Sequence, residues 1–299
     1  MTPDAAVLVG LGTAGAGDDP APFLSSPKEA KYLGLQDRLG VVAAGRAAAG
    51  LPLDPDRTGL FLAVGHLPFD PPDIDRVLAA SLDEDGDFSL PRFTSVGWTR
   101  ARPLLAFRCL PNIVAYHIAS ALGIRGPCSV GYPGPGQLHA ALEEAVDALA
   151  EGLVDHAVVG GIAAQRNWLV EHHHARLVPP VPADALVDAA GVMVLARSAD
   201  APLARLVGMD ATFEPSPSVA WEEPGGDGLR RGPAALPVAL ATVMATLVAE
   251  VRGPDGVLPE HLDAAALRLA ASSPAWAPST RSAWASPRCS TGCSRDGPP

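Results

Sequence analysis

From Leu138 onward the apolar residues fall at Leu138, Ala141, Leu142, Ala145, Val146 and Leu149, while Glu143, Glu144, Asp147 and Glu151 take the opposite side. That spacing predicts a helix with one buried face. On one flank lies a short apolar run, 126–132 (GPCSVGY), followed by the sharp turn Pro133-Gly134-Pro135-Gly136. On the other, Gly152 stops the helix and 156–161 (HAVVGG) returns as a strand. Strand, helix and strand in this order form a βαβ unit, which implies parallel strands with helices on their faces. The same alternation continues elsewhere. Strands are expected at 7–12, 60–65, 190–196 and 204–210, and helices at 32–49, 72–82, 112–122 and about 238–251, with a loop at 215–233. The class is α/β in layers.

The chain has 299 residues, 48% of them hydrophobic and 18% charged, enough to bury a large core. At roughly 150 residues per domain this makes one large domain or two small ones. No apolar stretch reaches the ~20 residues of a membrane helix, and the start, MTPDAAVLVGLG, lacks the basic region of a secretory leader. A net charge of −11 without a Lys/Arg block argues against nucleic acid and leaves small molecules or proteins as partners. Cys109, Cys128, Cys289 and Cys293 are too few and scattered for a disulfide framework, so a reducing, cytoplasmic setting is expected. Residues 271–299 are dense in Ser, Pro and Arg and lack periodicity, the composition of a disordered tail and, by its abrupt onset, of a frameshifted end.

Several local patterns invite chemistry. Gly10-Leu-Gly12-Thr-Ala-Gly15 matches a dinucleotide fingerprint, but Ala-Gly-Asp-Asp-Pro follows where a helix must start, so a glycine-rich turn is expected. Asp83 to Asp87 (DEDGD) lacks the closing Glu of a calcium loop and reads as a solvated turn. His172, His173 and His174 are consecutive and point in different directions, which suits a polar cap or loop at a pocket rim better than metal ligation. Cys289 and Cys293 have no companion pair for zinc, and no cofactor is expected. The strand–turn–helix at 131–139 is the best site candidate, because such a turn exposes its apex and aims free helix N–H groups at a developing anion.

At this turn the sequence resembles the β-ketoacyl synthases of the thiolase-like superfamily. The resemblance is carried by Asn112-Ile-Val-Ala, Gly123-Ile-Arg-Gly126-Pro127, and Gly152-Leu-Val-Asp155 through Val159-Gly160-Gly161. Weaker matches are Val9-Gly-Leu-Gly12, Asp56-Arg57-Thr58-Gly59 and Ala190-Gly191-Val-Met-Val-Leu195, so about residues 5–210 are covered. The resemblance implies a thiolase-like layered α/β/α fold: an N-terminal half plus an incomplete C-terminal part over 1–265, then the tail 266–299.

It also implies that the family's nucleophilic cysteine falls at Pro135, which has neither a thiol nor a backbone N–H for the oxyanion hole. Losing one such donor alone typically costs ~10²–10³ in rate. The family's two catalytic histidine motifs are absent after residue 210, where His261 is the only histidine. The expected active-site turn is therefore Gly134, Pro135, Gly136 and Gln137, rigid and without a catalytic residue. Chain-length factors usually carry Gln at the lost position; here Gln137 lies two residues later. Leu110 matches an apolar position bordering the family's acyl pocket, with ordinary core as its other reading. Cys128, within an expected buried strand, is expected to be inert. The implied role is a non-catalytic subunit paired with a catalytic ketosynthase (heterodimer) or with itself (homodimer), its acyl chain held by an acyl carrier protein. The alternative is an active condensing enzyme with a different nucleophile.

Overall fold

The computed structural model describes residues 6–206, apart from 69–70, 104, 109, 133–136, 177–179 and 181. In chain order the main elements are β1 (Val7–Gly15), α1 (Leu35–Ala47), β2 (Thr58–Val64), α2 (Pro71–Ala79), α3 (Ile113–Leu122), β3 (Cys128–Gly131), α4 (Gln137–Ala150), β4 (His156–Ala163), α5 (Trp168–Ala175), β5 (Ala189–Ala196) and β6 (Ala204–Arg205). Six strands form one sheet in the order β3-β2-β4-β5-β1-β6. The βαβ unit is present, but β2 lies between its two strands and pairs in parallel with both. Not every strand is parallel, as the crossover had implied. β5 runs antiparallel to both β4 and β1, and β6 antiparallel to β1.

Why the central strands are so apolar follows from the layering. Every residue of β2 and of β5 is buried, which requires a cover on both faces. On one face Phe61, Ala63, Val159, Met193 and Leu195 pack with Leu138, Leu142, Ala145, Val146 and Leu149 of α4. On the other, Leu60, Leu62, Val64, Ile162, Val192 and Val194 meet α1 and α3 through Leu39, Val42, Val114 and Ile118. The result is the expected α/β/α sandwich, its core residues each worth about 1.5–3 kcal/mol of burial. The expected 138–149 helix is α4, with its stripe facing inward, and Gly152 follows it at φ +72°. Gly123 closes α3 at φ +71°, a left-handed cap that a side chain would strain.

Three sequence expectations are corrected. Gly10 and Gly12 lie inside β1 and not in a turn. A Cβ on Gly10 would run into the Ala47 carbonyl of α1, and one on Gly12 into the Ala43 carbonyl. The glycines therefore serve direct strand–helix contact, and no helix begins at Gly15, so the dinucleotide geometry is missing. Secondly, β3 is an exposed-to-intermediate edge strand, so Cys128 is exposed and not buried. Finally, the 204–210 strand is seen as β6 at Ala204–Arg205; residues from 207 on, with the expected loop at 215–233, helix at 238–251 and the tail, lie outside the described residues.

Two of the family-like motifs meet in space. The Arg57 guanidinium, just before β2, donates to Asp155 Oδ1 at 2.8 Å and Oδ2 at 3.1 Å and to the carbonyls of Gly152 at 2.9 Å and Leu153 at 3.1 Å. The Asp155 N–H returns a bond of 2.7 Å to the Arg57 carbonyl. This clip sets the entry of β2 beside that of β4, and Arg57 holds the Asp155 carboxyl below the usual range. At Asp83, the carboxylate accepts from the N–H groups of Asp85 and Asp87, which confirms a self-closed turn.

The glycine contacts yield a test. Gly12→Ala places a methyl against backbone that cannot swing away, and should destabilise by about 1–3 kcal/mol or more in urea unfolding. Gly15→Ala meets nothing within 4 Å and should stay within about 0.5 kcal/mol. Equal effects would show that α1 does not rest on β1 in this way.

Candidate functional site

Because β2, β3 and β4 run in one direction, their carboxyl ends emerge together, the place where α/β sheets hold ligands. His66 follows β2, Tyr132 follows β3, and 164–167 follow β4. The His66 and Tyr132 rings meet edge to face with centroids 5.9 Å apart. Gln137 is the first residue of α4, and its Oε1 lies where a Cβ on Gly131 would come within 2.7 Å of it. The Gln137 side chain thus folds back onto the end of β3. Gly134, Pro135 and Gly136, between these anchors, lie outside the described residues. Leu110 is 45% exposed, so the core reading of this residue does not hold.

The remaining groups here are held by backbone bonds. Asn167 caps α5 by accepting from the N–H groups of Leu169 and Val170, both at 3.1 Å, and donates to the Ala164 carbonyl. The three histidines occupy the last turn of α5 and not a loop. His174 is buried, its Nδ1 2.9 Å from the Val170 carbonyl and so placed to donate to it. His66 is held below the usual histidine range by burial first, then by His173 and His174. His139, in the first turn of α4, is lowered by burial alone. Burial raises the Cys128 thiol, which makes it less of a nucleophile despite its exposure. Among the described residues no group of three or more His, Cys, Asp or Glu could hold a metal ion, and no helix is long and apolar enough to cross a membrane.

Beside this end lies a feature that sequence reasoning missed. A cleft of about 410 Å³ runs between the start of α1, the segment after β2 and the β4–α5 connection. Within it sit Gln36, whose Oε1 accepts from the Ala164 N–H at 3.1 Å, and Asp37, which is 4% exposed. The Asp37 carboxylate accepts from the Gly34 N–H at 2.8 Å and closes the first turn of α1. Burial nonetheless raises it to about 6, against the opposing pull of that N–H, Arg108 and Arg38. An Asp three residues into a helix is an ordinary capping signal; its burial comes from tertiary packing and leaves no local trace in the sequence.

The beta-ketoacyl synthase N-terminal domain matches residues 13–201. The chain belongs to the beta-ketoacyl synthase family. That match spans every described strand except part of β1 and the short β6. Among solved structures, a chain of AntDE:AntF, a type II polyketide synthase acyl carrier protein in complex with its ketosynthase bound to the hexaketide, is similar at TM-score 0.53 and 15% identity. The similarity covers 71% of this chain and 69% of that one. The ishigamide ketosynthase/chain length factor is similar at TM-score 0.50 and 15% identity, covering 67% of this chain and 65% of that one. This chain thus spans about two-thirds of their length, and at such identity the likeness establishes the ketosynthase fold. No curated protein sequence matches.

Asp37 gives a pH test. Its folded value of about 6 lies above the ordinary 3.8, so the folded state binds the proton more tightly. Its contribution is complete below about pH 4 and is lost as pH rises through 6, a change of about 3 kcal/mol. Asp37→Asn should flatten the urea midpoint across this window. An unchanged slope would mean that Asp37 is not the buried acid described here.

Proposed function

We propose that this chain is a non-catalytic, chain-length-factor-like subunit of a polyketide or fatty-acid assembly system, acting in the cytoplasm beside a catalytic ketosynthase. The observation that carries this reading is Pro135, where the resemblance puts the family's nucleophilic cysteine. Proline removes both the thiol that would be acylated and the N–H that would stabilise the oxyanion. The segment Gly134-Pro135-Gly136-Gln137 is then a relic of the active site. A second copy of the chain is the other possible partner.

The family membership and the fold shared with a ketosynthase–carrier protein complex and a ketosynthase/chain length factor support this reading. In it the acyl chain stays on an acyl carrier protein, and Leu110, exposed just before α3, borders the acyl chain where the partner closes over it. The ketosynthase-like domain extends over about 1–265.

One observation favours the competing reading of an active acyltransferase: the exposure of Cys128. Intact-mass spectrometry after incubation with hexanoyl-N-acetylcysteamine decides between them. The expected result is no covalent adduct. A hexanoyl adduct that disappears in Cys128→Ser would make the chain a catalyst and overturn the proposal. Co-expression with a cysteine-bearing ketosynthase, followed by size-exclusion chromatography, tests the partnership. Co-elution in one complex is expected, and separate elution would reject the partnership with a ketosynthase.

A further inference from the structure

The segment between β2 and α3 leaves apolar surface facing water. α2, the turn Leu90–Arg92, the single π-helical turn Phe93–Gly97 and the turn Trp98–Arg100 pack on one another, with no comparable contact to a strand among the described residues. Val77, Ser81 and Gly97 form the buried side of this unit. The Ser81 hydroxyl donates to the Val77 carbonyl, and a Cβ on Gly97 would run into the Ser81 Oγ, so the π turn lies directly on the end of α2.

The outward side is an aromatic ladder. Leu82 pairs across a bridge with Phe88. The Phe88 and Phe93 rings have centroids 5.8 Å apart, and the Phe93 and Trp98 rings 5.9 Å. Phe88 is 53% and Trp98 46% exposed, and Leu82, Leu90 and Val96 are exposed beside them. Clustered apolar groups of this kind mark an interaction surface, and aromatic residues with Arg carry most of the energy of such surfaces.

Charge is sorted by sign along the ladder. Beyond the Leu82–Phe88 bridge the exposed turn carries the carboxylates of Asp83, Glu84, Asp85 and Asp87. At the other end the exposed Arg92 and Arg100 flank Phe93 and Trp98. Among the described residues Glu84, Asp85, Asp87, Arg92 and Arg100 form no ion pair.

We propose that this ladder is a self-complementary interface, on which a second copy of the chain docks about a two-fold axis near Phe93 with each acidic turn against the other copy's Arg92 and Arg100. The inference gives a surface to the second-copy partner named above and does not rest on the loss of catalysis.

The order of the charges selects the occupant. Across a two-fold axis a surface meets itself reversed, so the acidic end of one ladder faces the basic end of the other. Phe88 of one copy then lies toward Trp98 of its partner, and the aromatic rungs exclude water between the charged ends. An acidic helix from another protein would suit the arginines and be repelled by the four carboxylates, and a basic one would fail at the arginine end. An anionic lipid surface would meet those same carboxylates. A partner must carry both signs in the reverse order, and a second copy does.

Sedimentation velocity on the full chain, over about two decades of concentration, reads the association. A concentration-dependent dimer is expected at about 0.15 M salt, and it should weaken at about 1 M, where charges are screened within about 3 Å. Trp98→Ser should raise the dimer dissociation constant about tenfold or more. Two charge-reversed variants make the decisive pair: Arg92→Glu with Arg100→Glu, and Glu84→Lys with Asp85→Lys. All four positions are exposed, so both variants should keep the parent's melting temperature. Each alone should be monomeric, and an equimolar mixture of the two should dimerise. A parent that stays monomeric, variants that dimerise as the parent does, or a mixture that fails to pair would each overturn this interface. Partnership with a ketosynthase is read separately: a monomer that still joins a ketosynthase would overturn this inference alone.

Discussion

Backbone against backbone is the contact from which this architecture follows. The Gly10 and Gly12 positions of β1 lie on the Ala47 and Ala43 carbonyls of α1, closer than any side chain permits. A helix seated so low on the sheet can bury almost all of its residues from Gln36 to Ala47 between the strands and α3. It also carries its first turn down to the level of the β2 and β4 carboxyl ends, where Gln36 bonds to the Ala164 N–H. A bulky residue at either glycine would lift α1 and pull Gln36 and Asp37 away from the carboxyl ends of β2 and β4.

The two-sided core supplies the rest of the frame. Strands buried on both faces fix α4 on one side and α1 with α3 on the other. The carboxyl ends of β2, β3 and β4 then project His66, Tyr132 and the β4–α5 connection to a common edge. At the opposite end, the Arg57–Asp155 clip and the bidentate Arg125–Asp56 pair, at 2.7 Å in each bond, tie loops that would otherwise splay. Both pairs are solvent-exposed, and such pairs add little energy; they define geometry more than they strengthen it.

What the sequence disclosed and what it hid follow from the range of each effect. The α4 stripe was legible because helical spacing is local and its polar side is strongly charged. The layered class followed from the alternation of apolar runs. The direction of β5 was not legible: AGVMVLA reads the same in either orientation, and only its partners, β4 and β1, decide. Gly10-x-Gly12 looked like a turn because glycine signals conformational freedom as readily as close approach. The histidine run read as a polar cap or a loop, and the structure makes it the last turn of α5, whose start is set by the Asn167 side chain. Asp37 remained hidden because its burial depends on residues far along the chain, Arg108 and Ile113 among them.

The order of the strands along the chain has a consequence for biosynthesis. β1 leaves the ribosome first but pairs with Ala189–Ala196 and Ala204–Arg205, so it has no sheet neighbour until nearly the whole described chain has been translated. β2 finds β3 and β4 sooner, which makes the β2–β3–α4–β4 segment the first unit able to close on itself. Until β5 emerges, the apolar flank of β4 stays open. Such late, non-local pairing folds slowly, so the nascent chain exposes most apolar strand surface just before β5 arrives.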